Sequence, residues 1–246
     1  VRYLILSDVH ANWEALDAVI RESGGRYDRA LCCGDLIGYG ADPNRVVDWV
    51  RENCAVTVRG NHDKASSGLD DLEWFNPVAR RAAMWTQETL TPENMQWIRA
   101  LPTGPVDCED FQVLHGSPYD EDEYVVAATE ASQAFEYLQR RIAFFGHTHL
   151  QGGFIWNHSR VETIPRTSLR TDRQTLEIDP ECAYLLNAGS VGQPRDGDPR
   201  AAFAIYDAGA HMVTFFRAEY DVAGAQKRIR DAGLPDVLAD RLTVGR

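Results

Sequence analysis

The stretch IAFFGHTHLQG (residues 142–152) runs four apolar residues into a glycine and then sets two histidines around a single threonine. A short apolar run that ends at a glycine reads as a buried strand entering a turn. Two imidazoles at the mouth of such a strand direct attention to the other strand ends. RYLILS is followed by Asp8 and His10, and RALCC by Gly34 and Asp35. AVTVR is followed by Gly60, Asn61, His62 and Asp63, and FQVL by His115 and Gly116. IAFF itself leads to Gly146, His147 and His149. In α/β sheets ligands bind outside the carboxyl ends of the strands, so groups from five separated segments can converge there.

The surrounding pattern supports such a sheet. NWEALDAVIRES and NRVVDWVREN space their apolar residues as helices do, and they alternate with the first three strand-like runs. This β-α-β-α-β order predicts a parallel sheet with helices packed on it. Residues 64–103 read as a mostly helical insert, with Thr91 and Pro92 starting one of its helices. A helix over EASQAFEYLQRR separates FQVL from IAFF. After residue 150 the runs GGFIWN, RVETI, QTLEI, AYLLN, AAFAIYD and HMVTFFR read as a second, mostly antiparallel set, closed by one helix near DVAGAQKRIRDAG. No Pro/Gly/Ser-rich linker interrupts the chain, so two sheets in one domain spanning 1–246 are expected.

The converging groups define a chemistry. Imidazole suits Zn, Fe and Ni, while carboxylate and amide oxygen suit Mg, Ca and Mn. Asp8, His10, Asp35, Asn61, His115, His147 and His149 form a mixed nitrogen–oxygen set without cysteine. Seven ligands are too many for one tetrahedral zinc site. They suit two five- or six-coordinate ions that share a carboxylate and a water, an arrangement used by phosphatases, nucleases and aminopeptidases. A single histidine is more often structural, and Asp35 or Asn61 alone could be a turn residue. The joint pattern decides: five of the seven histidines stand at strand ends beside Asp, Asn or Gly. His158 and His211 do not, and they read as structural.

At 246 residues and 44% hydrophobic the chain can bury a sizeable core. A net charge of -12 argues against bulk nucleic-acid binding. No apolar run approaches the length of a membrane span, and the sequence opens directly on a strand pattern, so neither membrane association nor a signal peptide is expected. The five cysteines show no C-x-x-C pair. Cys32, Cys33 and Cys54 lie in strand-like runs as small hydrophobes, which points to the reducing cytoplasm.

SDVH, GDLIGYG, GNHD, HGSP and GHTH, in that order over residues 7–149, resemble the five signature blocks of the calcineurin-like metallophosphoesterase superfamily. NAGSVGQPRDGDPRAAFAIYD (187–207) resembles the C-terminal block of its small bacterial and archaeal phosphodiesterase branch. The resemblance implies an α/β fold, a four-layer α-β-β-α sandwich of two mixed sheets with flanking helices. It implies that Asp8, His10, Asp35 and His149 hold one divalent ion and that Asp35, Asn61, His115 and His147 hold a second, with Asp35 bridging. His147 and His149 are then expected to face the centre together by strand alternation. The favoured ion is Mn, with Fe, Zn, Ni or Mg as alternatives. His62 is implied to contact substrate and to protonate the leaving oxygen or stabilise its charge, Asp63 to orient and charge that imidazole, and Asn12 to support the site from behind. The implied reaction is in-line attack of a metal-bridging hydroxide on phosphorus.

The pattern departs from neighbouring branches. Protein serine/threonine phosphatases and diadenosine polyphosphate hydrolases usually carry an arginine in the second block; here it reads GDLIGYG, with Tyr39 near that place. Arg59 matches an arginine common in those enzymes. Arg195 is a candidate substitute for the missing phosphate clamp, or else a surface ion-pair residue. The acidic run SPYDEDEYV (117–125) is a solvated face or an overhang that disfavours highly anionic substrates. PRTSLRTDR (165–173) reads as an exposed hairpin insert, and the 64–103 insert could cover the centre, its Trp74, Phe75, Trp85 and Trp97 serving as packing residues. The leading function is hydrolysis of small or nucleotide-like phosphodiesters. A phosphomonoesterase, protein phosphatase or diadenosine polyphosphate hydrolase is the alternative. A non-catalytic scaffold is least favoured, because His62 and all seven ligands are present. Natural substrate and oligomeric state are not legible in the residues.

Overall fold

The computed structural model describes residues 1–73, 75–165 and 171–246. The apolar run RYLIL forms β1 (Arg2–Leu6), and its alternation already sorts two layers. Leu4 and Leu6 face one core, with Leu16 and Val19 of α1 (Trp13–Ser23) and Val46, Val47 and Val50 of α2 (Pro43–Asn53). Tyr3 and Ile5 face the other, where they meet Phe111 and Val113 of β5 (Phe111–Val113) and Phe144 of β6 (Ile142–Phe145). Successive side chains of a strand point to opposite faces, so one strand can serve both cores. A third apolar layer, with Ala143, Phe145 and Leu185, is covered by Ala131 and Ala134 of α6 (Ala128–Tyr137). The result is the four-layer α-β-β-α sandwich. Each fully buried large apolar side chain in it is worth roughly 1.5–3 kcal/mol.

The first sheet has the order β3-β2-β1-β11-β12-β9, with β2 Arg29–Cys32, β3 Cys54–Thr57, β9 Arg173–Glu177, β11 Ala201–Asp207 and β12 Met212–Ala218. The second has the order β4-β5-β6-β10-β7-β8, with β4 Val106–Cys108, β7 Gly152–Trp156, β8 Val161–Ile164 and β10 Ala183–Asn187. The strands after residue 150 therefore do not form a sheet of their own, as the sequence suggested. They are divided between both sheets. β1 pairs in parallel with β2 on one side and antiparallel with β11 on the other (Ile5 opposite Ala204). A period-2 pattern reports that a strand is half-buried but not who its neighbour is. β8 and β9, which flank the hairpin insert expected at 165–173, belong to different sheets. Residues 166–170 of that stretch lie outside the described residues.

The insert is helical as expected: α3 (Asn61–Ser66), α4 (Pro77–Thr89) and α5 (Pro92–Arg99). Asn76 caps α4 by accepting from the Val78 and Ala79 N–H groups, and Thr91 caps α5 through Asn94 N. Such caps satisfy backbone donors that have no partner within the helix. At the C-terminus, where the sequence pattern predicts one closing helix, α7 (Val222–Asp231) is followed by α8 (Asp236–Asp240) and a 3-10 turn, Arg241–Thr243. Ala79 and Ala82 of α4 pack with Ile229, Leu238 and Leu242, so the insert and the C-terminal helices share one apolar cluster. Trp85 packs there and Trp97 against the α1/α2 core, both as expected; Trp74 lies outside the described residues. No described helix is long and apolar enough to cross a membrane.

One polar hub ties the loop after β10 to both sheets. The Gln151 amide donates to the carbonyls of Ala188, Phe203 and Phe216 at 3.0–3.2 Å and accepts from Arg217 Nε at 3.0 Å. Arg217, whose side chain is fully buried, also pairs with Asp196. A guanidinium presents a rigid fork of donors, which lets a single side chain hold several acceptors in register.

Candidate metal centre

The ligand-type residues lie just past the strand ends. Asp8 and His10 follow β1, Asp35 follows β2, and His147 and His149 follow β6, all with φ between 49° and 63°. Left-handed backbone costs a non-glycine residue about 1–2 kcal/mol, so the surrounding structure must hold it. Here backbone bonds do so: Asp8 N donates to Gly34 O and His10 N to Asp35 O, each at 3.0 Å. His147 N donates to Asp8 Oδ1 at 3.0 Å and thereby joins the second sheet to the first. His147 and His149 face the centre because each sits in this left-handed loop, not by strand alternation, since the strand has already ended at Phe145. Gly34, at φ +94°, allows the close approach: a Cβ there would lie 2.7 Å from Gly60 N and 2.8 Å from His115 Nδ1.

Two groups of potential ligand atoms result. Asp8, His10, Asp35 and His149 bring one atom each within 4.8 Å of one another, as do Asp35, His115 and His147. Asp35 belongs to both, and all six residues are buried. Asn61 Oδ1 lies 3.2 Å from His115 Nε2, so the structure also brings the seventh expected ligand to the second group.

The donor set fits divalent cations. Nδ1 of His10, His115 and His149 bonds to the carbonyls of Ile37, Cys33 and Gln193 at 3.1, 2.7 and 2.6 Å. That fixes the tautomer and leaves Nε2 as a lone pair, the usual support for a metal-ligating histidine. His147 is held through Nε2, 3.1 Å from Asp122 O, which leaves Nδ1. The lone pairs of His10 Nε2 and His149 Nε2 then face each other at 3.0 Å, an arrangement that a cation relieves. Asp8 Oδ2 and Asp35 Oδ2 are buried without any hydrogen-bond partner. Buried charges of this kind are paired or coordinate metals.

Charge balance without a cation points the same way. Burial drives His10 and His149 well below the ordinary histidine range and His147 down to about 3. Burial lowers His115 as well, but the Asp35 carboxylate outweighs it and raises His115 to about 10. A proton on His115 thus stands where positive charge is needed. Asp8 rises to about 7, chiefly through burial. Metal uptake should therefore release protons. Loading the chelated protein with Mn at about 100 times its Kd should add about 2.7 kcal/mol of stability. For a chain of this size that is a Tm increase of roughly 5–11 °C. A melting curve unmoved by Mn after EDTA treatment would count against the site.

His62 opens onto a cavity of about 380 Å³ lined by Tyr39, Asn61, Asp70, Phe75, Asp122 and His147 among others. Its ring is wedged between Tyr39, His10 and Phe75, with centroids 4.3, 4.9 and 5.1 Å away. Its backbone N–H donates to Asp35 Oδ1 at 2.8 Å, and its Nδ1 is buried without a partner. Burial pulls its pKa down to about 4 against the opposing charge of Asp35, so the ring is neutral at pH 7.

Asp63 does not perform the role expected of it. Its Oδ1 accepts from Leu36 N and Ile37 N (2.9 and 3.2 Å) and its Oδ2 from Gly60 N (3.0 Å). The carboxylate is spent on three backbone N–H groups and does not reach the His62 ring. It staples the second signature block to the third. Asp63→Ala would leave those buried donors unsatisfied and is expected to cost about 3–5 kcal/mol, read as a fall in denaturant midpoint. A variant of wild-type stability but altered pH–rate profile would restore the orienting role.

The remaining expectations divide. Asn12 caps α1 through Ala15 N and donates to Gly192 O at 2.8 Å, so its amide supports the loop after β10 rather than a substrate. Arg59 is paired with Glu121 at 2.6 Å and is not free to clamp phosphate. Arg195 has no carboxylate partner among the described residues. Its Nη2 reaches Gln193 Oε1 at 2.9 Å and the Tyr39 hydroxyl at 3.4 Å. The acidic run overhangs the centre: Asp122 lines the cavity, and Tyr124 stacks on His147 with centroids 3.8 Å apart. The insert supplies Asp70, Phe75, Asn76 and Ala79 to the same cavity, so Phe75 is a site wall as well as a packing residue. Tyr39, at the place of the missing arginine, is thus a site wall, and Tyr124 could have been found from its place in the acidic run SPYDEDEYV just past His115. Nothing in the local pattern distinguishes Phe75 from a core residue.

Residues 1–210 match the model of the calcineurin-like phosphoesterase superfamily domain. The chain belongs to that superfamily, which makes it a phosphoric ester hydrolase and implies divalent metal ions. It is 32% identical over 248 residues to an uncharacterized protein of Methanocaldococcus jannaschii, covering 98% of this chain and 97% of that protein. Among solved structures it is similar to a metallophosphoesterase from Sphaerobacter thermophilus, with 40% identity, a TM-score of 0.87 and coverage of 100% and 99% of the two chains. A hypothetical protein from Pyrococcus horikoshii shares the fold at 18% identity, with a TM-score of 0.78 over 100% and 98% of the chains.

Proposed function

We propose that the protein is a dinuclear metal-dependent phosphodiesterase acting on small or nucleotide-like diesters. The observation that carries this reading is the shared carboxylate: Asp35 belongs to both ligand groups and also accepts the backbone N–H of His62 at the cavity wall. Bound there, divalent cations supply Lewis-acid charge to the phosphoryl oxygens and lower the pKa of a water. Asp8, His10 and His149 would hold one ion, Asn61, His115 and His147 the other, with Asp35 between them; Mn suits this mixed nitrogen–oxygen set. His62 stands where it can donate a neutral N–H to a leaving oxygen. Phe75, Tyr39 and Tyr124 offer apolar surface to an organic group.

The cavity favours a diester over a monoester on charge. Asp70 and Asp122 stand on its wall, and the nearby cation Lys64 is already engaged by Asp70, Glu121 and Asp122 at 3.4, 3.7 and 2.7 Å. A monoanionic diester meets less repulsion there than a dianionic monoester. Five free cysteines, three of them buried, support a reducing compartment, in keeping with the cytoplasm.

The test is hydrolysis of bis-p-nitrophenyl phosphate and p-nitrophenyl phosphate side by side, with Mn and with EDTA. Diester preference abolished by EDTA is the expected result. Monoester preference would move the reading to a phosphatase, and metal-bound protein that turns over neither would sink the diesterase proposal.

A further inference from the structure

The candidate ligand histidines are not oriented alike. His10, His115 and His149 each rest a ring nitrogen on the carbonyl of a buried residue, Ile37, Cys33 and Gln193 in turn. A buried carbonyl cannot shift without disturbing the close packing around it. His147 differs. Its Nε2 donates to the carbonyl of Asp122, an exposed residue of the acidic run, at 3.1 Å. The same run lays the half-exposed Tyr124 ring against the His147 imidazole, with centroids 3.8 Å apart. His147 therefore takes its orientation from a surface loop.

That loop is shaped locally but placed by charge. Ser117 N and Oγ donate to Asp120 O at 2.8 and 3.1 Å, and Asp120 N donates back to Ser117 Oγ at 3.0 Å. The carbonyls of Asp120, Glu121 and Glu123 close over Gly116, where a Cβ would lie 2.6–2.8 Å from each. Val125 anchors the far end in the core. Between these points the loop is tied to α3 by ion pairs. Lys64 Nζ lies 2.7 Å from Asp122 Oδ2 and 3.7 Å from Glu121 Oε1, and it reaches Asp70 at 3.4 Å. From the segment before α3, Arg59 pairs with the same Glu121 at 2.6 Å. Several charges in a network hold a geometry better than an isolated surface pair does. α3 begins at Asn61, which lies against His115. Lys64 thus joins the segment that supplies Asn61 to the loop that orients His147, and both residues serve the second ligand group.

We propose that Lys64 is a positioning residue for the second ion. It latches the acidic loop so that the Asp122 carbonyl and the Tyr124 ring keep His147 turned toward the centre. The first ion does not depend on the latch, because His10 and His149 rest on buried carbonyls. The assignment to one ion of two rests on the dinuclear reading above. Charge alone predicts the opposite effect: Lys64 is a cation near a cation site, and its removal would strengthen metal binding. The sign of the change therefore separates a latch from a simple field.

The experiment titrates Mn calorimetrically into protein freed of metal by a chelator, with the number of bound ions checked by elemental analysis. Wild type, Lys64→Met, Lys64→Arg, His147→Ala and the double variant Lys64→Met/His147→Ala are compared. Methionine keeps the helix-forming stem of lysine without its charge. Lys64→Met should weaken one of two ions about tenfold or more, the range for groups that support a ligand, and leave the other within about twofold. Lys64→Arg keeps the charge and should restore most of that loss. His147→Ala should still bind the first ion, and adding Lys64→Met should change nothing further, because the ligand through which it acts is gone. A lysine that merely stabilised the fold would weaken both ions together. Binding in Lys64→Met that is stronger, unchanged or equally weakened at both ions would overturn the latch. So would a loss that arginine does not restore, or one that persists in full without His147. A single ion per chain in the wild type would remove the dinuclear reading and not the latch. The latch would then stand if Lys64→Met weakens that ion only while His147 is present, and fall otherwise.

Discussion

Asp35→Asn is expected to lower kcat on a diester by about a thousandfold or more and to reduce bound metal below two ions per chain. Lewis-acid charge at a phosphoryl centre is worth several kcal/mol, and this residue is the one carboxylate common to both ligand groups. Even residues that merely support metal ligands cost 10–100-fold in affinity when changed, roughly, so a shared ligand should cost at least that. Asp35 Oδ1 also accepts the His62 N–H, so the substitution loosens the wall of the cavity at the same point. Metal content by elemental analysis, beside kcat, checks the prediction. Two tightly held ions in the variant would show that Asp35 does not bridge.

His62→Ala should behave in the opposite way toward metal. We expect kcat to fall roughly 10²–10⁴-fold, the usual contribution of a positioned acid–base group, with metal content unchanged. Among the described residues the ring makes no hydrogen bond to a ligand side chain; it is held by Tyr39, His10 and Phe75 through ring contacts. A leaving-group comparison separates its role from simple packing. If His62 assists departure of the leaving oxygen, alkyl esters should suffer far more from its loss than p-nitrophenyl esters, whose leaving anion needs no assistance. Equal losses on both, or loss of metal, would remove it from that role.

The strand ends were the most legible part of the chain. Asp8, His10, Asp35, His115, His147 and His149 each follow an apolar run, and the structure brings all six into two adjoining groups. What adjacency in sequence could not report was how the backbone turns those groups inward. His147 and His149 occupy left-handed backbone that is held from far away in the chain, His147 N by Asp8 Oδ1 and His149 O by Arg195 N. Asp63 and Arg59 show a different limit. Both are ionisable residues flanking a motif, but which partner a carboxylate or guanidinium chooses is decided by what folding brings alongside. For Asp63 that is the Gly60, Leu36 and Ile37 backbone, and for Arg59 it is Glu121. The division of the late strands between two sheets was hidden for the same reason: half-buried alternation is identical in either sheet.

The bond from His147 N to Asp8 Oδ1 spans 139 residues. During synthesis at about 5–20 residues per second, Asp8 would leave the ribosome roughly 7–28 s before its partner. Through that interval neither ligand group can be completed, and the edge of β1 that will receive β11 stays open still longer. A chain truncated before residue 147 therefore lacks a ligand of each group. Both sheets must contribute before either group closes: β1 and β2 carry their ligands from the first sheet, β5 and β6 theirs from the second.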